Sequence, residues 1–544
     1  MIESGLQEKI DSLFETFNQP GSPGCALGVM RDGELIYKQG YGLANLEHNV
    51  AITPSTTFYI ASMAKQFTGM AAAMLAARGL LDLDADIRTY LPYVPDFGHT
   101  ITSKHLLYHT SGLRSDIFLL ILSGWRIEDV ITQNDIVEFV KGQKELDFAP
   151  GEEFSYCGTG YILLAEIVAA VSEQPFPEFC SENIFRPLGM ANTRFEADPI
   201  ALVPGRANAY FEDSKGEFKN AVLTISILGG TGMYTTIEDL ALWDKNFATG
   251  QVGGTAALEM MQTAGVRNSG ESVSYAFGLV VDEHRGQRVI SHAGDSAGIH
   301  CYMMRFPDAQ LSVAVLGNSG TVRASALAPK VADIMLGIDP EDDNVGQAGA
   351  PNVMALEVEA IAARAGRYYD ANSGGFVDLA FDEGVLSVYG YELLATSENE
   401  YFLKQHPEIS IVFEGDGSNE VTATVDFGNG LTSYKRVESV EPTSDELAAY
   451  AGVYHSRELD VVWRIEMRNG QLTVDRKRQG RSGLVSICQD VFADPWAGEI
   501  MHGNAQWVIA FDRDHDNITG LRVTAAMARG RNLRFDRVKG LSAQ

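Results

Sequence analysis

Up to Gly337, apolar positions with helical spacing alternate with short apolar runs that are typical of strands. Residues 2–17 carry apolar side chains at helical intervals among charged ones, which predicts a helix packed on one side of a sheet. Residues 59–75 are apolar and rich in alanine, and they predict another helix. The runs on either side of Asp32-Gly33 predict a hairpin, because Asp-Gly fits the tight turn between two antiparallel strands. Helices and strands thus coexist in one long α+β domain.

From Phe376 onward the pattern changes to short strand-like runs separated by turn glycines, and an internal repeat appears. Gly366-Arg-Tyr368 recurs as Gly452-Val-Tyr454, an offset of 86 (452 − 366). Residues 384–388 recur as residues 470–474 at the same offset of 86 (470 − 384). Two similar units of short strands, each of which must avoid open edges, predict two small antiparallel barrels.

The second copy of the repeat is longer than the first. Both copies end alike, at residues 434–437 and 535–538, but the offset there is 101 (535 − 434), so the second copy has gained 15 residues (101 − 86) after Val474. Four segments follow from these boundaries. They are a catalytic domain at 1–338, a linker rich in Asp, Glu, Gly and Pro at 339–352, a first barrel at 353–440, and a second barrel at 441–544 with an insertion loop near 475–500.

Composition narrows the function classes. The 544 residues include 42 Lys and Arg against 72 Asp and Glu, and the net charge of −30 disfavours binding to nucleic acid or anionic lipid. Five widely spaced cysteines indicate reduced thiols rather than a disulfide framework. The first twenty residues lack the basic start and apolar run of a secretory signal, and no span reaches the roughly 18 apolar residues of a membrane helix. We therefore expect a soluble, cytoplasmic protein.

Ser62 and Lys65 are three residues apart in the predicted helix 59–75. On a helix this spacing puts both side chains on one face, about 5–6 Å apart, and a serine nucleophile needs such a neighbour. The unpaired N–H groups and positive dipole at a helix start also favour negative charge on the serine. A Ser-x-x-Lys sequence alone fits an exposed amphipathic helix equally well.

Two other stretches carry candidate chemistry. Residues 151–161 include Tyr156 and Gly158 before an apolar helix, and their glycines suit a loop close to a ligand, although a plain helix start with a buried tyrosine is the alternative. His105 and His109 have metal-ligand spacing for a helix, but Leu-Leu-Tyr between them offers no carboxylate base. We interpret both histidines as structural and predict no metal and no cofactor.

Taken together, Ser62-Met-Ala-Lys65, Tyr156-Cys-Gly158 and His292-Ala-Gly294 resemble the three motifs of the serine β-lactamases and penicillin-binding proteins, in the same order. Residues 292–307 are similar to the third-motif strand and following hairpin of class C β-lactamases, with His in place of Lys as in the D-aminopeptidase and esterase branch. The resemblance implies a penicillin-recognising catalytic domain, with helices on an antiparallel sheet and a helical subdomain, followed by two eight-stranded, lipocalin-like barrels. Residues 454–460 and 528–530 resemble the third domain of the D-aminopeptidase branch.

The resemblance also implies roles for individual residues. Ser62 would attack a carbonyl and form an acyl-enzyme, with either Lys65 or Tyr156 taking the serine proton. His292 would line the site and orient Tyr156 or the substrate. The backbone N–H groups of Ser62 and Asp295 would stabilise the oxyanion beside Gly294.

One departure from the family pattern concerns substrate recognition. The third residue of the middle motif is usually Asn, whose side chain binds the amide on the acyl side of the substrate, but here it is Gly158. Thr159 is a candidate substitute for that side chain.

Three functions remain open. The leading interpretation is a serine peptidase or amidase acting on small peptides that contain D-amino acids, which the twin barrels favour. A carboxylesterase with the same mechanism is favoured slightly by Gly158, and a protein acylated by β-lactams without turnover is the third. We expect a small peptide, amide or ester substrate, no nucleic-acid or membrane partner, and a homodimer as a possible assembly.

The insertion in the second barrel begins with four cations, Arg476, Lys477, Arg478 and Arg481. In the D-aminopeptidase branch the corresponding loop reaches the catalytic cleft, which would place Arg476, Arg478 and Arg481 among the substrate-binding residues here. Cations there would favour substrates that carry a carboxylate. A solvated basic loop tip is the alternative.

Overall fold

The computed structural model describes residues 2–126, 129–213, 215–222, 224–340, 353–388, 390–404, 406–415, 421–426, 431–494, 507–525 and 530–539. At the centre of the first part of the chain is a six-stranded antiparallel sheet. Its strands lie in the order Val280–His284, Gln287–Ser296, Ile299–Phe306, Leu311–Gly317, Cys25–Arg31 and Glu34–Tyr41. The predicted hairpin is confirmed, since Asp32 and Gly33 join the last two strands with φ of 54° and 75°.

Both faces of this sheet are buried. Helices Ser4–Ser12 and Ala324–Leu336 pack on one face around Ile10 and Phe14, as the periodicity of residues 2–17 predicts. Helix Lys65–Ala77 belongs to the larger core on the other face. The fold is therefore layered, with the candidate nucleophile on the more extensively covered side of the sheet.

Smaller elements complete the first part of the chain. The further helices are Ser103–Leu107, Asp116–Leu122, Gln133–Gly142, Gly158–Ser172, Phe176–Cys180, Arg186–Leu188, Ile237–Thr249 and Gly254–Gln262, with 3₁₀ turns at Glu15–Phe17, Ala61–Ala64 and Ile87–Thr89 and a π-helical turn at Ser181–Phe185. Short strands pair as Phe58–Tyr59 with Met233–Thr235 and Arg194–Phe195, Ile131–Thr132 with Ile225–Ser226, Leu43–Asn45 with Val50–Ala51, and Ala209–Glu212 with Phe218–Ala221. The five cysteines are free thiols.

The first barrel is closed and has the eight antiparallel strands that the repeat and the resemblance together predict. The strands are Gly366–Tyr369, Phe376–Asp382, Val385–Val388, Tyr391–Ala395, Glu400–Leu403, His406–Glu414, Thr422–Asp426 and Leu431–Val437, preceded by helix Val358–Ala362. Most of the predicted linker, residues 341–352, lies outside the described residues.

The second barrel is nearly closed and has nine described strands, one more than predicted. They are Gly452–Ser456, Val461–Arg468, Gln471–Asp475, Arg481–Gly483, Val485–Cys488, Val491–Asp494, Trp507–Asp514, Asn517–Ala525 and Gly530–Arg537, with helix Ser444–Ala448 and the 3₁₀ turn Lys477–Gln479. The additional strand Arg481–Gly483 follows Val474, where the second copy of the repeat is longer. Residues 495–500 of the predicted insertion and residues 528–529 lie outside the described residues.

The repeated sequence motifs make equivalent contacts in the two barrels. Arg436 of the last strand in the first barrel lies 3.1 Å from the position of a Cβ on Gly366, and Arg537 lies 2.9 Å from the corresponding position on Gly452. In each barrel the tyrosine of the Gly-x-Tyr motif donates its hydroxyl proton to the carbonyl four residues earlier. A side chain in place of the glycine would crowd the arginine in both barrels.

Candidate active site

Ser62 lies in the 3₁₀ turn Ala61–Ala64, which runs directly into helix Lys65–Ala77. The sequence predicts one helix from residue 59, but Tyr59 instead pairs with Tyr234 in a short sheet, so the α-helix begins only at Lys65. Residues three apart eclipse one another in a 3₁₀ turn, which aligns the Ser62 side chain with that of Lys65. Ala61 has φ of 45°, a left-handed conformation that is strained for alanine and that often marks functional positions.

Lys65 is buried and makes two hydrogen bonds through its ammonium group. Nζ donates to Ser62 Oγ at 3.0 Å and to the carbonyl oxygen of Gly230 at 2.8 Å. It also lies 4.8 Å from the ring centroid of Tyr156. Two of the three motifs therefore meet at the Lys65 ammonium.

Tyr156 precedes helix Gly158–Ser172 and packs beside His109, with ring centroids 4.3 Å apart. Nδ1 of His109 accepts the N–H of Cys157 at 3.0 Å, which holds the chain next to Tyr156. His105 accepts the N–H of Thr102 at the start of its own helix. Among the residues that the structure describes, no three His, Cys, Asp or Glu side chains are grouped as metal ligands would be.

His292 is buried on strand Gln287–Ser296, and both of its ring nitrogens are engaged. Nδ1 lies 2.5 Å from the carbonyl oxygen of Ala293, and Nε2 lies 2.8 Å from the hydroxyl of Tyr275. Burial, and after it the positive charge of Lys65, lower the pKa of His292 to about 3, so the ring is neutral near pH 7. A carbonyl can only accept, so Nδ1 carries the proton and Nε2 accepts from Tyr275.

The resemblance implies that His292 orients Tyr156 or the substrate. Its ring centroid lies 6.1 Å from that of Tyr156, and the hydroxyl that it holds is that of Tyr275. The Tyr275 ring in turn packs against His109 and Tyr156. His292 therefore joins Tyr156 through an aromatic cluster that includes Tyr275.

Gly294 lets this strand approach the nucleophile. A Cβ on Gly294 would collide with the carbonyl of Ile60 and lie 3.3 Å from the amide nitrogen of Met63. Only glycine fits against the 3₁₀ turn at this distance. The next residue, Asp295, directs its exposed carboxylate to His300 on the neighbouring strand, at 2.7 Å.

A buried carboxylate lies beside Gly158. A Cβ on Gly158 would be 3.0 Å from Cγ and 3.1 Å from Oδ2 of Asp116, so the Asp116 carboxylate fills the space where a side chain at residue 158 would begin. Burial raises the pKa of Asp116, and the nearby charge of Lys65 opposes that effect. The candidate substitute Thr159 does not take this place, because its buried hydroxyl donates to the carbonyl of Arg114 at 2.8 Å.

Three residues of this site were not singled out from the sequence. Tyr275 carries no local signal, and the glycines at 229–232, which include Gly230, indicate only a turn before the helix Ile237–Thr249, because both residues reach the site from distant loops. Asp116 was detectable in part, since it opens the short helix Asp116–Leu122, whose other six residues are all apolar. A helix this apolar is expected to lie in a core, and all of its residues except Ile117 are buried, so the Asp116 side chain has to meet other buried groups.

The three candidate arginines of the second barrel bind carboxylates. Arg476 is fully buried and pairs with Asp494. Arg478 binds Asp129 at 2.5 Å, and Arg481 binds Asp475 at 2.5 Å. A direct role of these arginines in substrate binding stays a prediction.

Comparison with known proteins gives a family match for the first part of the chain and relatives that match nearly the whole chain. The family model described as beta-lactamase matches residues 10–335. The D-aminopeptidase of Gluconobacter oxydans (strain 621H) is 24% identical, with 98% of each chain covered. The D-aminopeptidase of Brucella anthropi is 25% identical, with 93% of this chain and 94% of the relative covered.

Solved structures with a similar fold include two of particular relevance. The octameric penicillin-binding protein homologue from Pyrococcus abyssi is 22% identical with a TM-score of 0.56, covering 88% of this chain and 99% of the homologue. The D-amino acid amidase from Ochrobactrum anthropi SV3, complexed with L-phenylalanine amide, is 22% identical with a TM-score of 0.51, covering 61% of this chain and 97% of the amidase. No helix in the described parts of the chain is long and apolar enough to cross a membrane.

Proposed function

The chain belongs to the beta-lactamase family and is a serine hydrolase, and from this premise we propose that it cleaves small peptides and amides whose amino-terminal residue is a D-amino acid. Two relatives that align over nearly their whole length, at 24% and 25% identity, are D-aminopeptidases. The similarity includes both barrels, which supports a shared substrate class beyond the catalytic domain.

The proposed reaction begins with Ser62. Its Oγ attacks the carbonyl carbon, and the serine proton passes to Lys65 as the neutral amine or to Tyr156 as the phenolate. The hydrogen bond of 3.0 Å between Ser62 and Lys65 supports the first route, and the proximity of Tyr156 to the same ammonium keeps the second open. The backbone N–H groups of Ser62 and Asp295 stabilise the oxyanion, and the C–N bond then breaks as the amine leaves with the proton that Lys65 or Tyr156 had taken. Water next attacks the acyl-enzyme, the ester bond to Ser62 breaks, and the acid is released as Ser62 regains its proton.

The observation that carries the substrate proposal is the carboxylate of Asp116 beside Gly158. In the family pattern a neutral side chain at residue 158 meets an amide on the acyl side of the substrate. Here a carboxylate occupies that space, and a carboxylate binds a protonated amine by a charge-assisted hydrogen bond. The free α-ammonium of an amino-terminal residue is such a group.

Removing the charge of Asp116 tests this assignment. In the variant Asp116→Asn, kcat/KM for D-alanine p-nitroanilide should fall about 10- to 100-fold, while that for propionic acid p-nitroanilide, which lacks the amine, should change less than about twofold. Asp96→Asn is the matched control, since Asp96 pairs with Arg88 at the surface. Equal losses on both substrates would exclude amine recognition by Asp116.

The missing amide side chain at Gly158 also suits an ester, so the carboxylesterase remains the second candidate. A panel of D- and L-alanine p-nitroanilides, propionic acid p-nitroanilide and p-nitrophenyl acetate separates the two. The proposal predicts the highest kcat/KM for the D-amine. Preference for the acetate would favour the esterase, and a burst of acylation by benzylpenicillin without turnover of any other substrate would favour a β-lactam-binding protein.

A further inference from the structure

The short helix Asp116–Leu122 joins the active site to the second barrel. Asp116, at its first turn, lies beside Gly158, whereas Phe118, Leu119, Ile121 and Leu122 belong to the hydrophobic core of the barrel. The fit is close, because a Cβ on Gly530 would collide with the ring of Phe118. The barrel core therefore determines where this helix lies.

Side chains of the barrel also bind the end of the helix. The last carbonyls of a helix have no partner within it. Trp463 Nε1 donates to the carbonyl oxygen of Leu122 at 3.2 Å, and Gln479 Nε2 donates to those of Ile121 and Trp125 at 2.8 and 2.6 Å. Two residues of the barrel thus fix the helix along its axis.

The segment before the helix is held by ion pairs. The side chain of Arg114 is 1% exposed, and it pairs with Glu458 of the barrel at 2.8 Å and with Asp147 at 3.2 Å. The Arg114 carbonyl accepts the hydroxyl of Thr159, next to Gly158. Residues 114–122 are therefore held at both ends by contacts to the second barrel.

We propose that the second barrel contributes to substrate binding. Its residues Trp463, Gln479 and Glu458 are positioning residues that hold the Asp116 carboxylate at the acyl side of the substrate. The inference rests on the proposed function, in which Asp116 receives the amine. It does not require the 475–500 loop to enter the catalytic cleft.

The local contacts of Asp116 explain why it needs such support. The backbone N–H groups of Asp116 and Ile117 donate to the carboxylate, while its hydrogen bond from Ser115 Oγ is long, at 3.3 Å, so the backbone of the helix sets the position of the carboxylate. A charge-assisted hydrogen bond to a substrate is sensitive to small displacements of its acceptor. Loosening the far end of the helix should therefore weaken amine binding more than it weakens the chemistry at Ser62.

Gln479→Met and Trp463→Phe test the proposal, because each removes a donor and keeps most of the side-chain volume. For each variant we expect the KM for D-alanine p-nitroanilide to rise about tenfold, with kcat and the kcat/KM for propionic acid p-nitroanilide changed less than about twofold. Because Gln479 is half-buried, the Gln479→Met variant should fold without changes in the barrel core. Arg513→Gln is the matched control, since Arg513 pairs with Asp490 at 2.6 Å within the same barrel. It should leave the ratio of the two substrates unchanged.

The Asp116→Asn variant separates this inference from the proposed function. In that background Gln479→Met should cause no further loss of amine preference, because the acceptor that it positions is no longer charged. If Asp116→Asn abolishes amine preference while Gln479→Met and Trp463→Phe retain it, the positioning role is wrong and the proposed function stands. Equal losses on both substrates in Gln479→Met also overturn the positioning role. If Asp116→Asn itself retains the preference, both proposals fail.

Discussion

The carboxylate of Asp116 occupies the space into which a side chain at residue 158 would project, with Cγ of Asp116 3.0 Å from the position of a Cβ on Gly158. Contacts this short force one of the two groups to move. The site can therefore hold a carboxylate from residue 116 or a larger side chain at residue 158, and this chain holds the carboxylate.

The variant Gly158→Asn tests this exclusion. We expect it to lower the free energy of unfolding by about 1–3 kcal/mol through overpacking and to reduce amide hydrolysis, measured by urea denaturation and by kcat/KM. Adding Asp116→Ala should recover the lost stability and remove the preference for an amine. A single variant with unchanged stability and higher activity on amides would show that Asp116 moves aside readily.

Ser62→Ala and Lys65→Ala should each abolish turnover while the protein remains folded, because their side chains act as one unit across 3.0 Å. The double variant should be no less active than either single variant. The measurement is kcat/KM, with circular dichroism as the control for folding. If Ser62→Ala retained more than a few per cent of the activity, another nucleophile would be at work.

His292 should make the protein less stable in acid. Burial and the charge of Lys65 lower the pKa of His292 from 6.5 to about 3, so below pH 6.5 the unfolded chain binds a proton that the folded protein does not. The contribution of neutral His292 to the free energy of unfolding is fully present above pH 6.5. As the pH falls below 6.5, the free energy of unfolding decreases by about 1.4 kcal/mol for each pH unit.

Denaturant unfolding at pH 6 and pH 4.5 measures that slope. His292→Asn should flatten it by about 1.4 kcal/mol for each pH unit. Parallel slopes in the wild type and His292→Asn would mean that the imidazole is charged in the folded protein.

The basic residues after Val474 should differ in their effect on stability. Arg476 and Asp494 are 0% and 1% exposed, and Arg476→Ser would remove the cation that pairs with this buried carboxylate, at a cost of about 3–5 kcal/mol in unfolding free energy. Arg478 is 64% exposed, and Arg478→Ser should cost at most about 1 kcal/mol. If instead Arg478→Ser raised KM for an acidic substrate, the predicted role of the loop in substrate binding would gain support.

The parts of the site that could be predicted are those with local sequence signals. Ser62 and Lys65 are recognisable because they are three positions apart on one continuous turn and helix, and Gly294 because it belongs to the third motif of the family resemblance. Asp116 and Tyr275 could not be assigned in the same way, since their meaning depends on contacts between segments that are distant in the chain.

The same distinction applies to the fold. The repeat in Gly366 and Gly452 predicts two barrels because each glycine recurs with its strand pattern, and both barrels are present. The sequence predicts a loop at Arg481–Gly483, since three residues containing Arg and Gly have no alternating pattern, but these residues form the ninth strand. Pairing with Gln471–Asp475 makes it a strand, and that pairing is a tertiary property.

The helix Asp116–Leu122 links the evolution of the first part of the chain to that of the second barrel. Its aromatic residue Phe118 and the glycine at 530 fit one another across more than four hundred residues of sequence. A hybrid gene that joined the first part of this chain to the terminal barrel of a relative would separate that matched pair. Among homologues we therefore expect the residues at 118 and 530 to vary together, with a smaller side chain at 118 wherever 530 is not glycine. The two parts of the molecule would then have evolved as one unit.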